Sequence, residues 1–112
     1  MSIRVDLQDL PSVVAERGLA AYLVTVRDDR PHVVMVQVGS REGLLVVAPG
    51  RRTSANIADR PEVTLLWPVS VTHPNHSLLV DGRAAMSVDG EWLEIEPTSA
   101  VLHRVGGRRR QP

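Results

Sequence analysis

The sequence predicts a mainly β domain that closes on itself as a small barrel, with short helices attached. Three observations carry that expectation. Valine dominates the aliphatic residues, with eighteen against three isoleucines, no phenylalanine and one tyrosine in 112 residues, a composition that favours strands. Residues 77–88 alternate with a period of two. Leu78, Val80, Gly82, Ala84, Met86 and Val88 share one side, and Ser77, Asp81, Arg83 and Ser87 lie largely opposite. Six or seven strands on so short a chain cannot leave long open edges, which makes closure the natural arrangement.

The elements follow in order. Residues 6–17 read as an amphipathic helix with Leu7, Leu10, Val13 and Val14 on one face and Gly18 at its stop. Pro11 near its first turns suits a start at Asp9 equally well. Residues 19–27 form the first strand, Asp28-Asp29-Arg30-Pro31 is a tight turn, and residues 32–39 return as a hairpin. A turn at 40–43 leads to a third strand at 44–48. A short helix at 53–59 precedes Pro61 and a fourth strand at 63–67. After a loop at 68–75, the long strand 77–88 needs a tight bend, which Gly82 supplies. Asp89-Gly90 is a hairpin turn into residues 92–96, and 98–105 form one more strand. Residues 1–105 make a single domain, without internal repeats, and residues 106–112, which include Arg108, Arg109 and Arg110, are a frayed basic tail.

Composition narrows the function classes. Thirteen basic and thirteen acidic residues cancel, so no global field selects nucleic acid or an anionic membrane. The basic tail is a solvated end rather than a nucleic-acid arm. Cysteine is absent, which removes disulfides, thiolate metal sites and a cysteine nucleophile. All basic residues are arginine, which removes lysine chemistry. No apolar run approaches the roughly 20 residues of a membrane span, and the expected location is the cytoplasm.

The segment from Ala48 to Trp67 holds the chemistry. A strand ends at a glycine turn, Arg51 and Arg52 follow, and a helix opens on Thr53 and Ser54. Helix N-termini offer free N–H groups and a partial positive charge, and two guanidinium groups just ahead of one form an anion cradle. Thr53 and Ser54 also read as helix caps, and Asn56 as a residue that ties the loop through side chain to backbone bonds. The other polar candidates read as inert. His32 follows a turn and is expected to be exposed. His73 and His76 have no third ligand nearby, so no metal site is expected. Alternation puts Asp81, Glu94 and Glu96 on outer faces, away from any acid–base pair. Trp67 and Trp92 fall in strands and read as core or dimer-interface residues, with a ring platform as the alternative.

In order and spacing these segments resemble the flavin-binding split β-barrel family typified by pyridoxamine 5′-phosphate oxidase and its flavin- or deazaflavin-dependent relatives. The resemblance rests on the opening helix, Tyr22-Leu23-Val24-Thr25-Val26, the turn to Pro31-His32-Val33, and Gly50-Arg51 to Asn56-Ile57. Arg60-Pro61-Glu62-Val63-Thr64-Leu65 and Leu79-Val80-Asp81-Gly82-Arg83-Ala84 complete it, about three quarters of the chain in all. It implies a split barrel of six to seven antiparallel strands of Greek-key type, an N-terminal helix, and a short helix after the third strand. It also implies a homodimer holding FMN or a deazaflavin between its barrels. The phosphate would lie on Arg51, Arg52, Thr53 and Ser54 with Asn56 close by, and Met35, Val36 and Gln37 would line the ring. Arg83 or Trp67 would approach from neighbouring strands, across the dimer. The implied activity is hydride transfer at the cofactor on a small planar or conjugated molecule, with no nucleic-acid or membrane partner. One departure is Thr53, where many relatives carry a phosphate-contacting lysine. Another is the missing match to the arginine and histidine that bind substrate near the C-terminus, for which His103 and Arg104 stand only as candidates. These departures keep open a non-catalytic module that carries a flavin-like ligand or has lost its cofactor.

Overall fold

The computed structural model describes residues 2–106; the Arg108–Arg110 tail lies outside the described residues. Eight strands and two helices follow one another as β1 (Ser2–Arg4), a 3-10 turn (Leu7–Asp9), α1 (Leu10–Arg17), β2 (Ala20–Arg27), β3 (Arg30–Gln37), β4 (Gly39–Arg41), β5 (Leu44–Val47), α2 (Arg51–Asp59), β6 (Glu62–Trp67), β7 (His76–Met86) and β8 (Leu93–Arg104). The antiparallel sheet runs β3-β2-β6-β7-β8-β5-β4, with β1 added against β8. Its two end strands, β3 and β4, are separated by Val38 alone. The chain bends there, and the Val38 N–H donates to the Leu19 carbonyl over 2.8 Å. The curled sheet is thus joined across its seam by the backbone rather than by a ladder.

Local chemistry explains most elements. Asp28 and Asp29 both have positive φ (52° and 60°), the geometry of a two-residue primed turn, and Arg27 pairs directly with Arg30. Arg30 and Pro31 therefore lie in the strand rather than the turn, and Pro31 is tolerated because β3 is an edge. Gly82 sits at a register irregularity opposite Pro97. A Cβ there would approach the Glu96 carbonyl oxygen to 2.6 Å, so the bend is open only to glycine. The expected strands 92–96 and 98–105 fuse across this bulge into the single β8, and the unexpected β1 and β4 bring the strand count to eight.

Two further expectations change. The opening helix is a 3-10 turn followed by α1, with Leu10 and Val14 buried and Leu7 left 41% exposed. Asp89-Gly90 is not a two-residue turn. Met86 pairs with Leu93, so residues 87–92 form a six-residue loop closed by Ser87 N–H to the Trp92 carbonyl at 2.8 Å. The inward alternation of β7 accordingly ends at Ala84, because Met86 and Val88 point to solvent while Ser87 is buried.

The core fills the barrel with aliphatic side chains. Leu23, Leu65, Leu78, Val80 and Ile95 are fully buried, and Trp67 joins them at 1% exposure. The Trp67 indole N–H donates to the Gly18 carbonyl over 3.0 Å, tying the end of β6 to the stop of α1. α2 carries the chain from β5 across to β6, and its Thr53, Asn56 and Ile57 are buried.

Candidate functional site

α2 opens two residues earlier than expected. Gly50 is its N-cap, with no side-chain cap, and the Ser54 N–H already donates to the Gly50 carbonyl over 2.8 Å. Arg51 and Arg52 thus lie in the first helical turn, and Thr53 and Ser54 stand inside the helix instead of capping it. With no capping side chain, the N–H groups of that first turn keep free donor capacity.

Two clefts meet at this turn. The first, about 780 Å³, is lined by Arg27, Asp28, Arg30, Pro31, His32, Arg51, Arg52 and Ala55. Four guanidinium groups face one carboxylate in it, and among the described residues none of the four has an acidic side chain within ion-pairing distance. Arg27 instead donates to Asn56 Oδ1 at 3.3 Å. His32 faces inward beside Thr25 and is half-buried rather than exposed; its Nδ1 is buried without a hydrogen-bond partner. Clustered like charges and an unsatisfied buried nitrogen are both costly; an anion would offset the charges, and would accept from His32 Nδ1 in the tautomer that protonates it.

The second cleft, about 730 Å³, is apolar. Leu19, Val34, Val36, Val46 and Trp92 are among its walls, with Met35, Gln37, Gly50 and Thr53 also lining it. The start of α2 divides the two spaces: Gly50 and Thr53 serve the apolar cleft, while Arg51, Arg52 and Ala55 serve the basic one. β3 runs along both, with Arg30 to His32 in one and Val34 to Gln37 in the other.

The structure therefore brings Met35, Val36, Gln37, Arg51, Arg52 and Thr53 to one region. Asn56 lies beneath it, fully buried, with its amide donating to the Thr25 hydroxyl over 3.0 Å. It anchors α2 to β2 through side chains, not to the loop backbone. Ser54 faces a separate groove with Ala84 and Leu93. Trp67 lies in the core, and Arg83 is on the outer face of β7, bound to Glu62 at 2.7 Å. His103 and Arg104 end β8, where His103 Nδ1 meets the Ser2 hydroxyl at 3.0 Å. None of Ser54, Trp67, Arg83, His103 and Arg104 lines either cleft. Arg27, Arg30 and His32 are polar cleft residues that sequence reasoning did not assign, and Trp92, read there as a core or interface residue with a ring platform as the alternative, lines the apolar cleft. The hairpin register, pairing Thr25 with His32, is the feature that places the first three.

Among the described residues no group of three histidine or acidic side chains is placed to hold a metal ion, and no helix is long and apolar enough to cross a membrane. His73 instead lies 4.0 Å from Glu16.

No protein-family model matches the chain. Two proteins of uncharacterised function, from Mycobacterium bovis and Mycobacterium tuberculosis, are each 38% identical to it over 117 aligned residues, covering 90% of this chain and 81% of theirs. Among solved structures, general stress protein 26 of Bacillus anthracis superposes with a TM-score of 0.69 at 18% identity, covering 88% of this chain and 95% of its own. An FAD-binding protein of Mycobacterium smegmatis gives 0.64 at 13% identity, with 94% and 99% covered. A pyridoxamine 5′-phosphate oxidase-like protein of Corynebacterium glutamicum gives 0.62 at 11%, with 96% of each chain covered. The chain thus belongs to the family of the two mycobacterial proteins, and it has the split-barrel fold of the pyridoxamine 5′-phosphate oxidase-like proteins.

Proposed function

We propose that this protein is a cytoplasmic, homodimeric flavin-binding oxidoreductase that holds FMN or a deazaflavin at the barrel seam. One observation carries the reading. A cleft of four guanidinium groups without acidic partners adjoins an apolar cleft across the first turn of α2. A ligand with a planar apolar ring at one end and an anion at the other fits that pair of spaces. The orphaned His32 Nδ1 is a further polar atom for the anionic end. Two of the proteins that share the fold are named as FAD-binding, which agrees with a flavin.

The chain's own residues bind and orient. Arg51 and Arg52 offer forked donors to phosphate oxygens, and Arg27 and Arg30 bring charge that Thr53 lacks beside the lysine of many relatives. When bound, the flavin or deazaflavin supplies hydride transfer. The side chains of the apolar cleft exclude water and carry no titratable group. This last feature equally favours a second reading, a non-catalytic carrier of the same ligand.

The dimer would form on the outer face of β3, β2, β6 and β7. Val33 and Met35 are 54% and 65% exposed there, and cross-strand register sets them beside Val24 and Tyr22, with Leu66 and Leu79 beyond. So continuous an apolar surface is unusual on a monomer.

Titrating the purified protein with FMN and with a deazaflavin tests the proposal. Arg51→Ala should weaken binding by about 1.5–3 kcal/mol, the worth of a charge-assisted bond, and leave folding intact. Failure of wild type to bind either group rejects the reading. Photoreduced bound flavin that passes its electrons to a quinone faster than free flavin supports an oxidoreductase, whereas slower transfer favours the carrier.

A further inference from the structure

We infer that Trp92 is the platform on which the planar ring of the ligand lies, and so the residue that selects a fused heteroaromatic ring over other apolar groups. The inference rests on the flavin-site reading above and adds a residue that the resemblance to the family does not supply. The chain has three aromatic side chains. Trp67 is sealed in the core at 1% exposure, and Tyr22 lies on the outer face of β2. Trp92 alone lines a cleft, together with Val34 and Val36 of β3 and with Gly50 and Thr53 at the start of α2. It is 39% exposed, so part of its surface is open to solvent and to whatever enters the cleft.

The loop that presents Trp92 is built to hold it. The Trp92 N–H donates to the Ser87 hydroxyl oxygen at 3.1 Å, and its carbonyl accepts the Ser87 N–H at 2.8 Å. Ser87 is itself buried; its hydroxyl donates to the Asp89 carboxylate, which also accepts the Glu91 N–H at 3.0 Å. Gly90, at a φ of 75°, donates to the Ser87 carbonyl over 2.9 Å. The backbone of Trp92 is thus fixed on both sides before any ligand arrives, which lowers the ordering cost of binding. Stacking on such a face favours flat π-systems, whichever group the ring carries at its far end.

The test separates ring from phosphate by comparing riboflavin with FMN, each titrated into wild type, Trp92→Leu, Trp92→Phe and Arg51→Ala. Flavin fluorescence, tryptophan emission and sedimentation are followed. Trp92→Leu should weaken riboflavin and FMN by the same factor, about 5- to 100-fold, and Trp92→Phe should restore part of it. Ligand-dependent quenching of tryptophan emission should fall sharply in Trp92→Leu, because the remaining Trp67 is shielded in the core. Arg51→Ala should weaken FMN and leave riboflavin unchanged. Wild-type affinity for both ligands in Trp92→Leu, with FMN still weakened in Arg51→Ala, would overturn the platform and leave the flavin site standing. Loss of the dimer in Trp92→Leu without a change in ring affinity would also overturn it, assigning the indole to the subunit interface. A wild type that binds neither ligand removes both the platform and the flavin reading.

Discussion

The two sides of this barrel are built on opposite terms. On the closed side, β6, β7 and β8 are fully laddered, and Leu65, Leu78, Val80 and Ile95 point inward with no exposure at all. On the seam side, β3 has a single strand neighbour and not one fully buried residue. Yet the seam side carries the unpaired arginines, the orphaned histidine nitrogen and both large clefts. The contrast teaches that burial on one side supplies the stability, and the other side leaves its polar and apolar groups unsatisfied for a partner to complete.

Substitutions can break or sharpen that division. The largest effect is expected on the closed side, where Leu65→Ala should cost about 2–5 kcal/mol through lost burial and a residual cavity, read by thermal or urea unfolding. Asn56→Ala falls at the boundary. It removes the bonds to Thr25 and Arg27 from a fully buried site and should cost about 1–3 kcal/mol. On the seam side, Met35→Ser should change monomer stability by less than about 0.5 kcal/mol while weakening dimerisation in sedimentation. A Met35→Ser variant that unfolds as readily as Leu65→Ala would erase the distinction between the two sides.

The smallest effect concerns the loop beneath Trp92. The Ser87 hydroxyl, and after it the Glu91 N–H, holds the Asp89 carboxyl below its ordinary range. A carboxylate favoured in the folded state stabilises above its unfolded pKa, and that contribution is lost as pH falls through the folded value. Tryptophan emission should therefore shift as the loop loosens below about pH 4, and Asp89→Asn should flatten the shift. Emission unchanged through that range would show that the loop does not depend on this carboxylate.

Most of the closed side was legible in the sequence because alternation and Gly82 specify it locally, but β8 reads as two strands because its bulge opposite Gly82 interrupts the pattern. The two-residue turns were nearly so, displaced by a residue or two where Asp28 and Asp29 adopt positive φ. The seam was less legible. A valine run that passes through Val38 carries no mark of the bend that divides β3 from β4. The run of Arg51 to Ser54 marked a helix start, but glycine can cap without a side chain, and the helix opened earlier. Arg27, Arg30 and His32 were hidden because a turn residue and its anion site are joined only by register. The loop position of Trp92 was hidden because Asp-Gly suggests a tight hairpin that puts it in a strand, whereas the Ser87 bonds hold a wider loop.

Hydrogen–deuterium exchange with and without FMN tests the central claim most directly, since it reads both sides of the barrel at once. Protection confined to residues 30–37, 50–56 and 87–92, with β6 to β8 unchanged, is the predicted result. Binding that protects the closed-side strands β6 to β8 and leaves the seam untouched would contradict it, as would no protection anywhere at saturating FMN.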